Sequence, residues 1–213
     1  MTVTATDSAN VPVKGTVSFT LTVAGGLFMT STGVAPYNAT FGSASASLTT
    51  VKPTGGTFPY TFAITTPGTL PVGMTINANT GVVGVTALTP AGTYTVTITA
   101  TDSTAGTPLT GTITFDIVSA LSMARTAPVS RVSGTPGTLS TVTATGASGT
   151  ITYTLDAASL TAGFTINAST GAVGSGTALA GSASVTITAT DSAAPANGTA
   201  AGAGITTFTV TVT

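Results

Sequence analysis

The sequence predicts an all-β protein built from β-sandwiches in tandem, and three observations carry that expectation. In 93–101, Tyr94, Val96, Ile98 and Ala100 point one way while Thr93, Thr95, Thr97, Thr99 and Thr101 point the other, the period-two pattern of a half-buried strand. Clusters of Gly, Pro and Asn break the chain roughly every 8 to 12 residues, and no stretch carries helical periodicity. Finally, whole segments return after about 90 to 95 residues. Short strands, frequent turns and such a period together indicate a sandwich.

The repeat defines the elements in order. Thr95-Val96-Thr97-Ile98-Thr99-Ala100-Thr101-Asp102-Ser103 returns 89 positions later as Ser184-Val185-Thr186-Ile187-Thr188-Ala189-Thr190-Asp191-Ser192. Thr2-Val3-Thr4-Ala5-Thr6-Asp7-Ser8 is a third copy, 95 positions before the middle one. Each copy precedes a Gly- or Pro-bearing turn and one more apolar alternation: Val17-Phe19-Leu21-Val23, Ile113-Phe115-Ile117 and Phe208-Val210-Val212. The chain therefore reads as a terminal hairpin of an incomplete repeat (1–23), a repeat at 24–118 and a repeat at 119–213. Weaker echoes match Leu27 and Met29 to Leu121 and Met123, and Leu48 and Val51 to Leu139 and Val142. Strand runs into strand at Val23-Ala24 and Val118-Ser119, which leaves almost no linker and predicts a stiff rod.

A second returning element is a connector. Gly73-Met74-Thr75-Ile76-Asn77-Ala78-Asn79-Thr80-Gly81 recurs 90 positions on as Gly163-Phe164-Thr165-Ile166-Asn167-Ala168-Ser169-Thr170-Gly171. Asn can cap its own turn through the side-chain carbonyl, and the glycine accepts the positive φ that reverses the chain.

Composition excludes most chemistry. The 213 residues contain no Cys, His, Trp or Glu, and their charges are five Asp (7, 102, 116, 156, 191), Lys14, Lys52, Arg125 and Arg131. General acid–base catalysis draws on His or tuned carboxylate pairs, and a nucleophilic serine needs a base beside it. No catalytic residue is assigned, and the chain is not expected to be an enzyme. A net charge of −1 with scattered cations gives no footprint for nucleic acid or anionic lipid. No apolar run reaches the length of a membrane-spanning helix, and the N-terminal residues have no signal-peptide pattern. With only 4% charged residues, solubility falls to hydroxyls, and Thr accounts for 53 residues.

The run Leu70-Pro71-Val72-Gly73 through Gly84, followed by Gly92-Thr93-Tyr94 through Asp102-Ser103, resembles the Ig-like, cadherin-like tandem repeats of bacterial surface proteins and adhesins. The likeness covers the back two-thirds of each repeat, with residues 1–23 as a final hairpin. It implies immunoglobulin-like sandwiches and a structural, extracellular role. The second repeat departs from it, with Thr161 in place of the turn proline. Cadherin-like relatives often hold calcium between domains through several acidic ligands, whereas this chain offers about one motif Asp per repeat.

Asp7, Asp102 and Asp191 close a strand and begin a loop, so an Asx-type turn is the expected role; calcium ligation, which needs six to eight oxygens, is the alternative. No other cofactor is expected. Asn38, Asn167 and Asn197 begin Asn-x-Thr/Ser patterns that glycans can modify. Arg125 and Arg131 read as solvated strand residues, with contact to a neighbouring domain's carboxylate as the alternative, and Lys14 as an exposed hairpin tip.

Unpaired strands are templates for pairing with another chain. Val3, Ala5, Val17, Phe19 and Leu21 are therefore expected to pack between subunits, against a neighbouring copy or an adjacent repeat of a longer chain. The function this implies is a subunit or segment of a prokaryotic surface filament, stalk, surface layer or adhesin. A bacteriophage virion decoration or tail fibre is the alternative, and a carbohydrate-binding module is disfavoured by the absence of Trp.

Overall fold

A computed structural model of the chain describes residues 2–6, 14–18, 25–66, 68, 71–126, 130–131, 137–176 and 181–212. Thr alternating with Val and Ala in the sequence suits the N-terminal segment to a strand. There β1 (Thr2–Thr6) pairs antiparallel with β2 (Lys14–Ser18), setting Val3 opposite Val17 and Ala5 opposite Gly15. The pair forms a two-stranded sheet separate from the four larger ones.

The first sandwich contains β3 (Phe28–Ser31), β4 (Tyr37–Thr40), β5 (Ser45–Thr54), β6 (Thr61–Thr66), β7 (Met74–Ile76), β8 (Val82–Val85), β9 (Gly92–Thr101) and β10 (Thr110–Ala120). One sheet has the order β3-β5-β8-β7; in the other, β9 lies between β10 and β6, and β4 runs parallel to β10. The alternation read from 93–101 is the one observed, with Tyr94, Val96, Ile98 and Ala100 all buried. They meet Val51, Met74, Val83 and Val85 of the facing sheet, and the Tyr37 ring stands edge-on to Phe115 at 5.2 Å. Each such aliphatic side chain taken fully from water is worth about 1.5–3 kcal/mol.

The second sandwich repeats this plan with β11 (Ser122–Arg125), β12 (Ser130–Arg131), β13 (Gly137–Thr145), β14 (Ile151–Leu155), α1 (Ala157–Thr161), β15 (Phe164–Ile166), β16 (Ala172–Ser175), β17 (Ser182–Asp191), β18 (Ala200–Ala201) and β19 (Ala203–Val212). Its sheets have the orders β11-β13-β16-β15 and β12-β19-β17-β14. Leu139, Val142, Phe164, Val173, Val185 and Ile187 form its core.

Two details differ from the sequence reading. No helix was expected, yet α1 forms one turn, capped by the Asp156 carboxylate, which accepts from Ser159 N at 2.8 Å. Five residues are too few to show helical periodicity, and the cap rather than the pattern makes the turn. The proposed boundary at Val118-Ser119 falls inside β10, which continues to Ala120. Leu121 then enters the core of the second sandwich, so a single residue separates β10 from β11.

Candidate functional site

In a chain with so few ionisable groups, the four described aspartates are scattered over three separate tasks. Asp102 sits at the end of β9, 5% exposed. Its Oδ2 accepts from Thr57 N at 2.9 Å and from the Thr104 hydroxyl at 2.6 Å, and its Oδ1 accepts from Leu109 N at 2.7 Å and Thr104 N at 3.3 Å. These bonds, the Thr104 hydroxyl foremost, hold its carboxyl at about 2, against an ordinary 3.8. Asp191, 89 positions on, accepts from Ser148 N, Gly149 N and Ala193 N at 2.6, 2.8 and 3.2 Å. Both therefore close an Asx turn onto the residue two ahead and tie it to another loop of the same sandwich, β5–β6 at Thr57 for Asp102 and β13–β14 at Ser148 and Gly149 for Asp191. Asp116 instead accepts from the Thr95 hydroxyl at 2.7 Å, and Asp156 caps α1. Asp7 lies outside the described residues.

These residues do not fit a bound cation. The groups around Asp102 and Asp191 are N–H and O–H donors whose hydrogens face the carboxylate, the reverse of an oxygen cage. Among the described residues, no three of His, Cys, Asp and Glu come together.

The connector has the geometry its sequence demands. Asn77 Oδ1 accepts from Asn79 N and Thr80 N, both at 3.0 Å, and Gly81 takes φ +68° before β8. Asn167 and Gly171 repeat it, with φ +69° at the glycine. These glycines lie so close to the carbonyls of Val51 and Val142 in β5 and β13 that no Cβ fits.

Among the described residues, the two sandwiches contact each other directly. The loop between β17 and β19 reaches back onto the first sandwich, where β18 pairs antiparallel with the start of β9, Ala200 opposite Thr93 and Ala201 opposite Gly92. The Thr199 amide and hydroxyl both donate to the Thr93 carbonyl, at 2.7 and 3.2 Å. Pro195, buried, rests on Gly92, where an added Cβ would meet its ring carbons at 2.5 and 2.6 Å. Ala91 belongs to the second sandwich's core although it lies in the first sandwich's chain segment, and its amide donates to the Gly146 carbonyl at 2.9 Å. Gly146 faces the Phe41 ring, and Gly202 faces Ala91. Sequence reasoning missed Ala91, Gly92, Gly146, Pro195 and Gly202. The available signal was loop length: nine positions separate Asp102 from Gly111, but thirteen separate Asp191 from Gly204.

Other residues singled out by sequence fall elsewhere. Val3, Ala5 and Val17 have places in the β1–β2 register, while Phe19 and Leu21 lie outside the described residues. Lys14 begins β2, opposite Thr6. Arg125 is an exposed strand residue, as read, and its guanidinium also lies over the Phe208 ring at 4.8 Å, an intramolecular cation–π contact; Arg131 lies in β12. Asn38, Asn167 and Asn197 are all exposed.

Residues 29–120 match the family model described as "Putative Ig domain". The first sandwich is an Ig-like domain. The second repeats its strand order, so the fold is that of two Ig-like sandwiches in tandem. No curated protein sequence matches the chain. Among solved structures it is similar to cadherin domains 1–5 of protocadherin gamma B2 (16% identity, 100% of this chain and 45% of that one, TM-score 0.35). It is also similar to mouse cadherin-23 EC22–24 (19%, 100% and 73%, TM-score 0.33) and human protocadherin-24 EC1–2 (15%, 83% and 93%, TM-score 0.36). The chain spans about half the length of the first two structures it matches, 45% and 56%. Among the described residues, no helix is long and apolar enough to cross a membrane.

Proposed function

We propose that this chain is a structural segment of an extracellular prokaryotic assembly, a surface filament, stalk, surface layer or adhesin, in which Ig-like sandwiches are joined end to end. An Ig-like fold supports an adhesive or structural role. The observation that carries the finer reading is the join itself: β10 passes into β11 through Leu121 alone, and Leu121 is buried in the second core. Such a connection transmits orientation rather than hinging freely.

Residues 1–23 extend the same plan. In both sandwiches the two long strands set an alanine opposite a glycine, Ala100 with Gly111 and Ala189 with Gly204. Each glycine accommodates the leading leucine of its own sandwich, Leu27 or Leu121. Ala5 opposite Gly15 is the same pair. A lone two-stranded hairpin is marginally stable in water, so this hairpin is completed by strands of a neighbouring copy or an adjacent repeat, with Val3, Ala5, Val17, Phe19 and Leu21 packed in the contact.

Electron microscopy of native material tests the reading. Thin rods or layers with an axial repeat of one sandwich are expected at the cell surface. Isolated compact particles, or material confined to the cytoplasm, would overturn it.

A further inference from the structure

We propose that the loop between β17 and β19 is a docking strand that latches one sandwich to the one before it, coupling neighbours without a metal ion. This deepens the structural reading by naming the element that sets stiffness.

The edge of β9 shows why the loop has work to do. β6 covers the stretch from Thr97 to Thr101, so the first residues of β9 have no partner from β6 on that side. β18 pairs there with Gly92 and Thr93, and the Thr93 carbonyl takes both donors of Thr199. Strand addition at a free edge satisfies backbone groups that would otherwise depend on water.

Close approach then fixes the distance between the two bodies. At Gly92, Gly146 and Gly202 an added Cβ would collide with Pro195, Phe41 and Ala91 respectively. Three backbone contacts of that kind, together with Ala91 in the second core, leave no space for a layer of ions and water between the sandwiches.

The latch is a property of loop length. Both loops keep the same bonds to their own sandwich, Asp102 N to Leu109 O and Ser103 N to Thr57 O in the first and Asp191 N to Gly202 O and Ser192 N to Thr150 O in the second, so what reaches the neighbour is the four extra residues, with Pro195 and the positive-φ Asn197, φ 62°. Repeats with the long loop lock to their predecessor, and repeats with the short loop do not.

The test is a spin-label distance across the junction in the full chain, which has no native cysteine. Labels go at Asn79→Cys and Ser169→Cys, both exposed connector positions. A single narrow distance is expected, unchanged by calcium or by EDTA. Deleting Pro195–Gly198, which gives the loop the first sandwich's length, should broaden the distribution at least twofold and split one melting transition into two. Thr199→Pro, which removes both donors at full loop length, should broaden it in the same direction. Far-UV circular dichroism confirms that each variant retains its sheets, and a deletion variant that unfolds leaves Thr199→Pro to decide. An unchanged width in a folded variant, or a narrow distance in the parent chain only when calcium is added, would overturn the latch. Either failure leaves the proposed surface role standing, and failure to find rods would leave the latch standing.

Discussion

Tyr94→Phe is expected to weaken the fold at neutral pH and to remove part of its sensitivity to alkali. The side chain is 0% exposed, and its hydroxyl donates to the Pro90 carbonyl at 2.8 Å, four residues back where the chain turns into β9. This is the tyrosine corner of Ig-like sandwiches. Phenylalanine keeps the ring and its packing but loses the bond, a net cost of about 1 kcal/mol. If the latched sandwiches unfold as one body, that corresponds to a fall in Tm of about 2–4 °C. Burial pushes the Tyr94 phenol up to about 12 from 10.0. The fold holds the neutral form, so its contribution is complete below pH 10 and is lost as pH rises from 10 to 12. Phenylalanine cannot ionise. The stability gap between parent and variant, read by denaturant titration with circular dichroism, should therefore narrow between pH 10 and pH 12. A variant as stable as the parent at pH 7, or a gap that stays constant through alkali, would refute the reasoning.

The same logic runs with opposite sign at Asp102. Asp102→Asn should destabilise the first sandwich at neutral pH, and the difference should vanish as pH falls from about 3.8 to about 2, where the parent carboxylate takes up its proton; an acid titration of both proteins followed by circular dichroism checks it. Gly81→Ala places a Cβ 2.5 Å from the Val51 carbonyl at φ +68°, a strained position that costs about 1–3 kcal/mol. Gly171→Ala should match it in the second sandwich, whereas Gly25→Ala, with nothing within 4 Å, should leave the denaturation midpoint unchanged.

The sequence made some of this plain because the causes are local. Alternation in 93–101 is a statement about one strand's two faces, and the burial of Tyr94, Val96, Ile98 and Ala100 follows from it directly. Asn77 and Gly81 act within five residues, so their turn can be read before any tertiary structure is known. The latch could not be read that way. Pro195 and Thr199 gain meaning only when Gly92 and Thr93, more than a hundred positions earlier, present a free edge, and no periodicity links the two. Arg125 over Phe208 is hidden for the same reason: the partners lie on separate strands brought together by the closing of the sandwich. The one-turn helix α1 depends on a single capping contact from Asp156.

A chain with so few charges has to protect its sheet edges by other means. Lysines and inward-facing charges are the usual gatekeepers, and only four basic residues are present. The long strands β5, β9, β10, β13, β17 and β19 are interior to their sheets, while the edge strands of the four larger sheets have two to six residues, β6 with six and β14 with five being the longest. Hydroxyl pairs tie the outward faces across strands: Thr97 with Thr114 at 2.7 Å, Thr65 with Thr99 at 3.1 Å and Thr186 with Thr207 at 3.1 Å. Where a long strand outruns its neighbour, something else covers it. In β17 that cover comes from α1 and its cap, since Thr186 N donates to the Ser159 hydroxyl at 2.9 Å and Asp156 N donates to the Thr186 carbonyl at 3.2 Å. In β9 it comes from the next sandwich. The element that joins the two bodies thus answers the same physical need as α1: an uncovered strand edge has to be paired, and in the first sandwich the available strand belongs to its neighbour.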